Sequence, residues 1–245
     1  MKQSVLVTGA LGGIGRALCQ EFKAAGWRVI ATDRADTGQA GDAYVPQDLG
    51  EMSGNPDVRR EFARRVRGVL RRAPLGAVIN NAAVQRLNST DAVTDADWTE
   101  SLAVNLVVPF LLVQEFLPDL EKSRGSVVNI ASIHAALTKP GFVVYATTKT
   151  ALAGMTRALA VDLGSRIRVN AICPAAISTP MLEAGFEGRA RARRELDKCH
   201  PAGRVGEPVE VARLAVFLAS DAGRFIHGAC LPIDGGIGAK LHDPA

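Results

Sequence analysis

Short runs of hydrophobic residues alternate along this chain with longer stretches in which hydrophobic residues recur at helical spacing. Such alternation is typical of βα units, in which a helix connects each strand to the next strand of a parallel sheet. Strands are expected at Ser4–Val7, Trp27–Thr32, Asp42–Val45, Ala77–Asn80, Ser126–Ile130, Arg168–Cys173 and Ala229–Ile233. The pattern therefore predicts an α/β protein, doubly wound, with a seven-stranded parallel sheet and helices on both faces.

The stretches of helical spacing lie between these strands. They cover Ile14–Ala25, Pro56–Arg72, Asp95–Leu120, Phe142–Leu163 and Pro208–Leu218. Pro109 should bend the third helix, because proline has no N–H for the helical hydrogen bond. The connection Arg34–Gly41 is too short and polar for a crossover helix and is predicted to be a loop. Residues 178–205 are polar with scattered glycines, which predicts a mobile flap over the substrate.

Length and composition limit the classes of protein that this chain can belong to. Its 245 residues suit one domain, residues 1–245, and its 47% hydrophobic and 22% charged residues are ordinary for a globular protein. We expect no apolar run long enough to span a bilayer, no signal peptide and a cytoplasmic location without a membrane partner.

Charge and cysteine usage indicate that the protein binds neither nucleic acid nor a metal ion. The net charge is +4, yet aromatic residues make up only 5% of the chain and no nucleic-acid-binding module is recognisable, so we expect no nucleic-acid partner. The four cysteines form no CxxC pair and have no zinc-finger spacing, so no metal site is expected.

A glycine-rich turn follows the first predicted strand and opens the first predicted helix. Gly9, Gly13 and Gly15 permit a tight turn, close approach of the backbone to phosphates, and close packing of helix on strand. Their spacing is G-x-x-x-G-x-G, which differs from the commonest dinucleotide fingerprint. A glycine-rich turn without a ligand is the alternative interpretation. The residues predicted to contact a dinucleotide here are Gly9, Leu11, Gly12, Gly13, Ile14 and Gly15.

Asp33, at the end of the second predicted strand, indicates which dinucleotide is bound. A carboxylate there can accept hydrogen bonds from ribose hydroxyls and would repel a 2′-phosphate, which favours NAD over NADP. Arg34 beside it leaves NADP open, because an arginine can hold that phosphate. Asp48, with Leu49 next to it, is a further candidate for the adenine end. Its alternative role is to cap a turn.

The order of several further motifs resembles that of a short-chain dehydrogenase/reductase of the single-domain type, over nearly the whole chain. The matching residues are Thr8–Gly15, Asp48, Asn80-Asn81-Ala82, Asn105, Ser132, Tyr145-Ala146-Thr147-Thr148-Lys149, Asn170-Ala171-Ile172-Cys173-Pro174, Ile177 and Thr179. The resemblance implies a Rossmann fold and a redox reaction with a nicotinamide dinucleotide.

The chemistry of such a reaction explains why a tyrosine and a lysine would lie one helical turn apart. Hydride transfer at an alcohol carbon needs a proton transfer at its oxygen, and a free phenol with a pKa near 10 is a poor base. Lys149 is expected to lower the pKa of Tyr145, the general acid/base, while Ser132 hydrogen-bonds the substrate oxygen. By resemblance, Lys149 also holds the nicotinamide ribose, and Asn105 anchors a water that links Lys149 to solvent.

Two positions depart from the family pattern. Ala83 ends the run Asn80–Ala83, where glycine is usual, and Ala175 follows Pro174, where glycine is usual. Neither change removes a functional group. By resemblance, the remaining contacts to the dinucleotide come from Asn81, Ala82, Ala83, Tyr145, Lys149, Pro174, Ala175, Ile177 and Thr179.

The predicted substrate contacts are Ser132, His134, Tyr145 and Met181, with a solvent-exposed loop histidine as the alternative for His134. They fit a polar secondary alcohol or ketone and do not choose among a sugar, a polyol, a hydroxy acid and a dihydrodiol. A 3-oxoacyl-carrier-protein reductase that uses NADPH and a non-catalytic dinucleotide sensor remain alternatives. By resemblance, the helices that contain Asn105 and Tyr145 form a contact in a homotetramer, to which residues 234–245 add.

Overall fold

The computed structural model describes residues 3–36 and 40–241. Seven strands form one parallel sheet in the order β3-β2-β1-β4-β5-β6-β7. They are β1 (Ser4–Thr8), β2 (Arg28–Thr32), β3 (Ala43–Tyr44), β4 (Leu75–Asn80), β5 (Ser126–Ile130), β6 (Arg168–Pro174) and β7 (Cys230–Ile233). The predicted Rossmann-like fold is confirmed, and its strand order reverses direction between β1 and β4.

The described part of the chain contains eight α-helices. They are α1 (Gly13–Ala24), α2 (Pro56–Leu70), α3 (Asp95–Leu102), α4 (Val108–Ser123), α5 (Val143–Leu163), α6 (Pro180–Ala184), α7 (Ala190–Cys199) and α8 (Pro208–Ala219). Helices α1 and α8 pack on one face, around Phe22 and Leu218. Helices α2, α4 and α5 pack on the other, around Phe62, Phe116 and Leu163. The strands between them are buried on both sides, which explains their continuous hydrophobic runs.

The long helix predicted around Pro109 is interrupted by a π-helical segment, Ala103–Val107, between α3 and α4. The Val108 N–H donates to the carbonyl of Ala103, five residues back. Pro109 has no N–H, so a regular α-helix would also lack one backbone hydrogen bond at this position. The wider turn accommodates that loss, and it brings Asn105 into the protein interior, where 1% of the residue is exposed.

By length and composition alone, the continuous helical stretch Asp95–Ser123 is long and apolar enough to cross a membrane, although we expected no such run. Its buried residues include Leu112, Phe116 and Leu120, which belong to the core beside β4. A helix that is hydrophobic because it covers a sheet passes the same test, so its composition is explained by packing.

The flap, residues 178–205, contains the two short helices α6 and α7, which we did not predict. Its two ends meet in a neck, where the Ser178 N–H donates to Gly206 O at 2.8 Å and the Gly206 N–H donates to Ala176 O at 2.9 Å. Part of the loop expected at Arg34–Gly41, namely residues 37–39, lies outside the described residues, and its described residues contain no helix.

Candidate active site

The glycine-rich turn lies between β1 and α1, in the crevice created by the reversal of strand order. Gly9 has a φ of +62°, and a Cβ on it would lie 2.8 Å from the Cα of Ala82. A Cβ on Gly13 would lie 2.7 Å from Cγ2 of Thr179. Helix α1 begins without a side-chain cap and without an acidic residue in its first turn, which leaves N–H groups to bind an anion. The turn therefore fits the pyrophosphate of a dinucleotide.

Four more residues that were predicted to contact the dinucleotide lie in the same turn: Leu11, Gly12, Ile14 and Gly15. A Cβ on Gly15 would collide with the carbonyl oxygen of Gly9, so only glycine fits there. The structure thus brings the whole predicted group together at the carboxyl end of β1.

Asp33 follows β2 and is held beside this turn. Its Oδ2 accepts the Leu11 N–H at 2.9 Å, and its Oδ1 accepts the Arg34 N–H at 2.8 Å. Tyr44 donates its hydroxyl to Ala35 O at 2.7 Å and so fixes the loop after Asp33. Each carboxylate oxygen keeps a lone pair for a further donor. In contrast, the Arg34 residue is exposed.

Asp48 and Leu49 lie at the start of a short 3₁₀ turn, Leu49–Met52. Asp48 Oδ1 accepts the Gly50 N–H at 2.9 Å, so the capping role considered as the alternative is present. Leu49 is 6% exposed, and its side chain belongs to the core. Only its backbone can therefore face a ligand.

Asn81 binds the glycine-rich turn directly. Its Nδ2 donates to Thr8 O at 2.9 Å and to Gly9 O at 3.0 Å. Thr8 reciprocates, since its Oγ1 accepts the N–H groups of Asn81 at 2.9 Å and Ala82 at 3.0 Å. Ala83 continues this half-buried segment. These bonds join the ends of β1 and β4, so we assign Asn81 the role of fixing the turn.

Ser132, Tyr145 and Lys149 come together at the carboxyl end of β5. Ser132 follows this strand and hydrogen-bonds Tyr145, while its Oγ accepts the His134 N–H at 3.2 Å. Tyr145 and Lys149 lie one turn apart on α5, with Lys149 Nζ 5.6 Å from the centre of the Tyr145 ring. Lys149 Nζ donates to Ile130 O at 2.7 Å.

The charge states of this group differ from our expectation. Desolvation by burial raises the pKa of Tyr145 to about 12, and the hydrogen bond with Ser132 only partly opposes this rise. Burial also lowers the pKa of Lys149 to about 8. The expected lowering of the Tyr145 pKa by Lys149 is therefore absent in the protein alone, because the interior disfavours both charged forms. At neutral pH the phenol is protonated.

Asn105 reaches Tyr145 through another side chain. Its Oδ1 accepts the Val84 N–H at 2.9 Å, and its Nδ2 donates to Val84 O at 2.9 Å and to Thr148 Oγ1 at 3.1 Å. The Thr148 hydroxyl in turn donates to Tyr145 O at 2.9 Å. Asn105 is thus part of the site, and it contacts the backbone of the tyrosine's helical turn through Thr148.

The segment after β6 returns to the glycine-rich turn. Pro174 is buried at the end of the strand, and the Ala175 N–H donates to the carbonyl oxygen of Ile233, the last residue of β7, at 3.1 Å. Ile177 is buried and pairs with Gly206 in the neck of the flap. Thr179 caps α6, accepting the Leu182 N–H at 3.2 Å, and its methyl group faces Gly13.

The predicted substrate residues separate into two groups. His134 lies beside Tyr145, with ring centres 5.8 Å apart, and it is half-buried, whereas the alternative expected a solvent-exposed loop histidine. Met181 is 68% exposed on α6, in the flap, and stays a predicted substrate contact.

Three residues of the site were missed in the sequence: Thr8, Thr148 and Cys173. Both threonines lie inside motifs that we recognised, and their hydroxyls bind the backbone groups that those motifs must fix. Burial raises the pKa of the Cys173 thiol to about 11. Cys173 lies inside the recognised motif Asn170–Pro174, but no role was predicted for its thiol.

Comparison with known proteins agrees with this geometry. A family profile described as Enoyl-(Acyl carrier protein) reductase matches residues 9–238. The chain is 39% identical over 248 residues to Protein FixR of Bradyrhizobium diazoefficiens, covering 95% of this chain and 85% of that protein. It is 34% identical, over 97% of each chain, to the 2,5-dichloro-2,5-cyclohexadiene-1,4-diol dehydrogenase of Sphingobium indicum strain B90A. The chain belongs to the short-chain dehydrogenase/reductase family.

A solved structure supports the same assignment. The ligand-free aldohexose dehydrogenase of Thermoplasma acidophilum matches with a TM-score of 0.91 and 30% identity, covering 100% of this chain and 97% of that one. As a short-chain dehydrogenase/reductase, the protein is an oxidoreductase that uses NAD(P) and a small-molecule substrate.

The buried lysine of this short-chain dehydrogenase/reductase makes stability depend on pH. The folded state binds the Lys149 proton more weakly than the unfolded state, with a pKa of about 8 against 10.5. The unfolded state therefore holds more protons between these values, and Lys149 destabilises the fold less as the pH rises. We expect its contribution to the free energy of unfolding to increase by roughly 2 kcal/mol between about pH 8 and about pH 10.

Urea unfolding of the unmodified protein and of Lys149→Met at both pH values measures this contribution. The difference between the two proteins isolates Lys149, because Tyr145 and the cysteines titrate in both. A pH-independent difference would show that Lys149 is neutral, or solvated, throughout this range.

Proposed function

We propose that the protein is an NAD-dependent oxidoreductase that interconverts a secondary alcohol and a ketone by hydride transfer, with Tyr145 as general acid/base. One observation carries the proposal: Ser132, Tyr145 and Lys149 meet at the edge of the sheet that also holds the glycine-rich turn. Open α/β sheets bind their ligands at this carboxyl edge.

Each residue of the chain has a task in this reaction. The Tyr145 hydroxyl gives its proton to the carbonyl oxygen in reduction, and the Tyr145 phenolate takes a proton from the alcohol in oxidation. The Ser132 hydroxyl, oriented by the His134 N–H, hydrogen-bonds the same oxygen and stabilises its developing charge. Lys149 places an ammonium group beside the phenol. When bound, the nicotinamide supplies or accepts the hydride, and its oxidised form brings positive charge that favours the phenolate.

A spectrophotometric screen tests the proposal. The protein is incubated with NAD and a panel of secondary alcohols, including cyclic alcohols, polyols and sugars, and formation of reduced nicotinamide is followed by absorbance. We expect turnover of at least one member of the panel. Binding of NAD without turnover of any alcohol or of the matching ketones would instead support the sensor alternative.

Asp33 is the residue that we propose selects NAD. Asp33→Asn keeps an oxygen that accepts the Leu11 N–H but removes the charge that repels a 2′-phosphate. We expect the unmodified protein to prefer NAD, and the variant to gain about tenfold in kcat/KM for NADP relative to NAD, since one charge contact is worth roughly 1.4 kcal/mol at this depth. A preference of the unmodified protein for NADP would contradict the assignment.

The remaining contacts to the dinucleotide are part of the proposal. They comprise the glycine-rich turn, Asp33, Asp48, the segment Asn81–Ala83, Tyr145, Lys149, and the segment from Pro174 to Thr179. The flap, residues 178–205, covers the substrate within a single domain of residues 1–245, in a protein that we place in the cytoplasm.

We also propose a homotetramer, in which apolar residues of α4 and α5 meet a second copy. Phe110 is 40% exposed and Val161 is 86% exposed, which suits such a contact. Leu112, Leu152 and Leu159 of the same helices are buried in the core and do not contribute to this surface. Of the C-terminal segment expected to add a second contact, residues 242–245 lie outside the described residues.

A further inference from the structure

His134 is fixed by contacts on several sides of its ring. The ring is stacked on Phe142, with centres 4.2 Å apart and planes 9° apart. It also meets Tyr145 edge to face at 5.8 Å. Its backbone N–H orients Ser132 Oγ. His134 is therefore held next to both groups that act on the reacting oxygen, and it belongs to the wall of the substrate crevice.

The two ring nitrogens of His134 differ in their surroundings. Nδ1 lies 3.1 Å from Thr138 Oγ1, which satisfies one nitrogen and fixes the rotation of the ring. Within residues 3–36 and 40–241, Nε2 of His134 has no hydrogen-bond partner. It is also not one of the side-chain atoms that are both buried and without a partner. It is thus a polar atom within reach of solvent, on a ring that packs against the Tyr145 ring.

The charge of this ring limits what it can bind. Burial, together with the nearby Lys139, lowers the pKa of His134 to about 4, so the ring is neutral at physiological pH. A neutral imidazole offers one hydrogen bond at Nε2 and no positive charge. It matches an uncharged oxygen, such as a hydroxyl group, better than a carboxylate.

We propose that His134 Nε2 binds a second hydroxyl group of the substrate, on the carbon next to the one that exchanges hydride, so that the substrate is a vicinal diol or polyol. This inference rests on the proposed function and narrows its substrate class. In this arrangement Ser132 and Tyr145 bind the reacting oxygen, and His134 binds its neighbour. A simple alcohol lacks the second group and leaves Nε2 to water.

Two substitutions at His134 separate the nitrogen from the ring. His134→Phe keeps the flat ring that stacks on Phe142 and removes both nitrogens. His134→Gln loses the ring but can place an amide group near the position of Nε2. Initial rates with NAD are measured for a vicinal cyclohexanediol and for cyclohexanol, which differ by one hydroxyl group.

We expect the unmodified protein to prefer the diol, and His134→Phe to lose about tenfold in kcat/KM for the diol, the effect of one lost hydrogen bond. The same variant should lose less in kcat/KM for cyclohexanol than for the diol, and His134→Gln should restore part of the preference for the diol. Equal losses for both substrates, or no preference in the unmodified protein, would overturn the inference. Inactivity of the unmodified protein on every alcohol would instead refute the proposed function.

Discussion

Tyr145→Phe is expected to lower kcat by about 10³-fold, within the usual range for loss of a general acid/base. The substitution removes a single oxygen atom, the one that hydrogen-bonds Ser132. The phenylalanine ring can keep the edge-to-face contacts that Tyr145 makes with His134 and Phe142. Tyr145 is half-buried and its phenol is protonated, so losing the hydroxyl leaves no buried charge without a partner, and the melting temperature should hardly change. Steady-state kinetics with the best substrate of the screen measure the effect.

The chain offers a matched control, because Tyr44 is its only other tyrosine. Tyr44→Phe also removes one phenol oxygen, the donor to Ala35 O in the loop after Asp33. We expect this variant to change KM for the dinucleotide and to keep kcat. NAD binding by Tyr145→Phe, measured by calorimetry, should match that of the unmodified protein. Near-normal kcat in Tyr145→Phe would remove Tyr145 from the chemistry.

Asn105→Ala is expected to destabilise the fold by about 3 kcal/mol, since it leaves several buried polar groups without partners. The amide of Asn105 satisfies both the N–H and the carbonyl of Val84 and also binds Thr148. Thr148 in turn binds the backbone at Tyr145, so kcat should fall together with stability. Urea unfolding at the pH of the kinetic assay gives the free energy, and assays well below the transition give kcat.

Asn88→Ala serves as the control for this substitution. Asn88 donates to Asp97 Oδ2 at 3.1 Å in a solvent-accessible region. Water can replace that bond, so the loss there should stay below about 1 kcal/mol. Equal destabilisation by the two substitutions would mean that solvent reaches the π-helical segment and satisfies the Val84 groups.

The central strands of the sheet could be predicted from the sequence because they are buried on both faces. The run Ser126–Ile130 was expected and found with the same bounds, and β4 and β6 differ from expectation only at their ends. In a parallel sheet, nearly every position of a central strand must be hydrophobic or hydrogen-bonded, so the strand is visible in a single sequence.

Helix α7 was missed for a corresponding reason. No residue of α7 is buried, and its Arg193 pairs with Asp197 of the same helix and with Glu183 of α6. A helix stabilised by such pairs has no apolar stripe to reveal it. The π-helical segment was missed because a local change of hydrogen-bond spacing leaves no trace in the hydrophobic pattern.

The identities of the candidate site residues could be predicted from the order of motifs, while their charge states could not. Spacing places Lys149 next to Tyr145 on the same face of α5, and the structure agrees. The pKa of each group depends on how much water surrounds it, and this is set by distant parts of the chain. For the same reason, the stacking of His134 on Phe142 needed the folded chain, because these residues are brought together by a loop.

The position of Thr179 links the motion of the flap to the rate of turnover. It stands at the start of the flap, and its methyl group closes over Gly13, where the pyrophosphate is proposed to bind. If the dinucleotide binds as proposed, lifting the flap would uncover it, and departure of the spent dinucleotide would require the same motion. In such a molecule the rate of opening sets a ceiling on turnover, however fast the hydride moves.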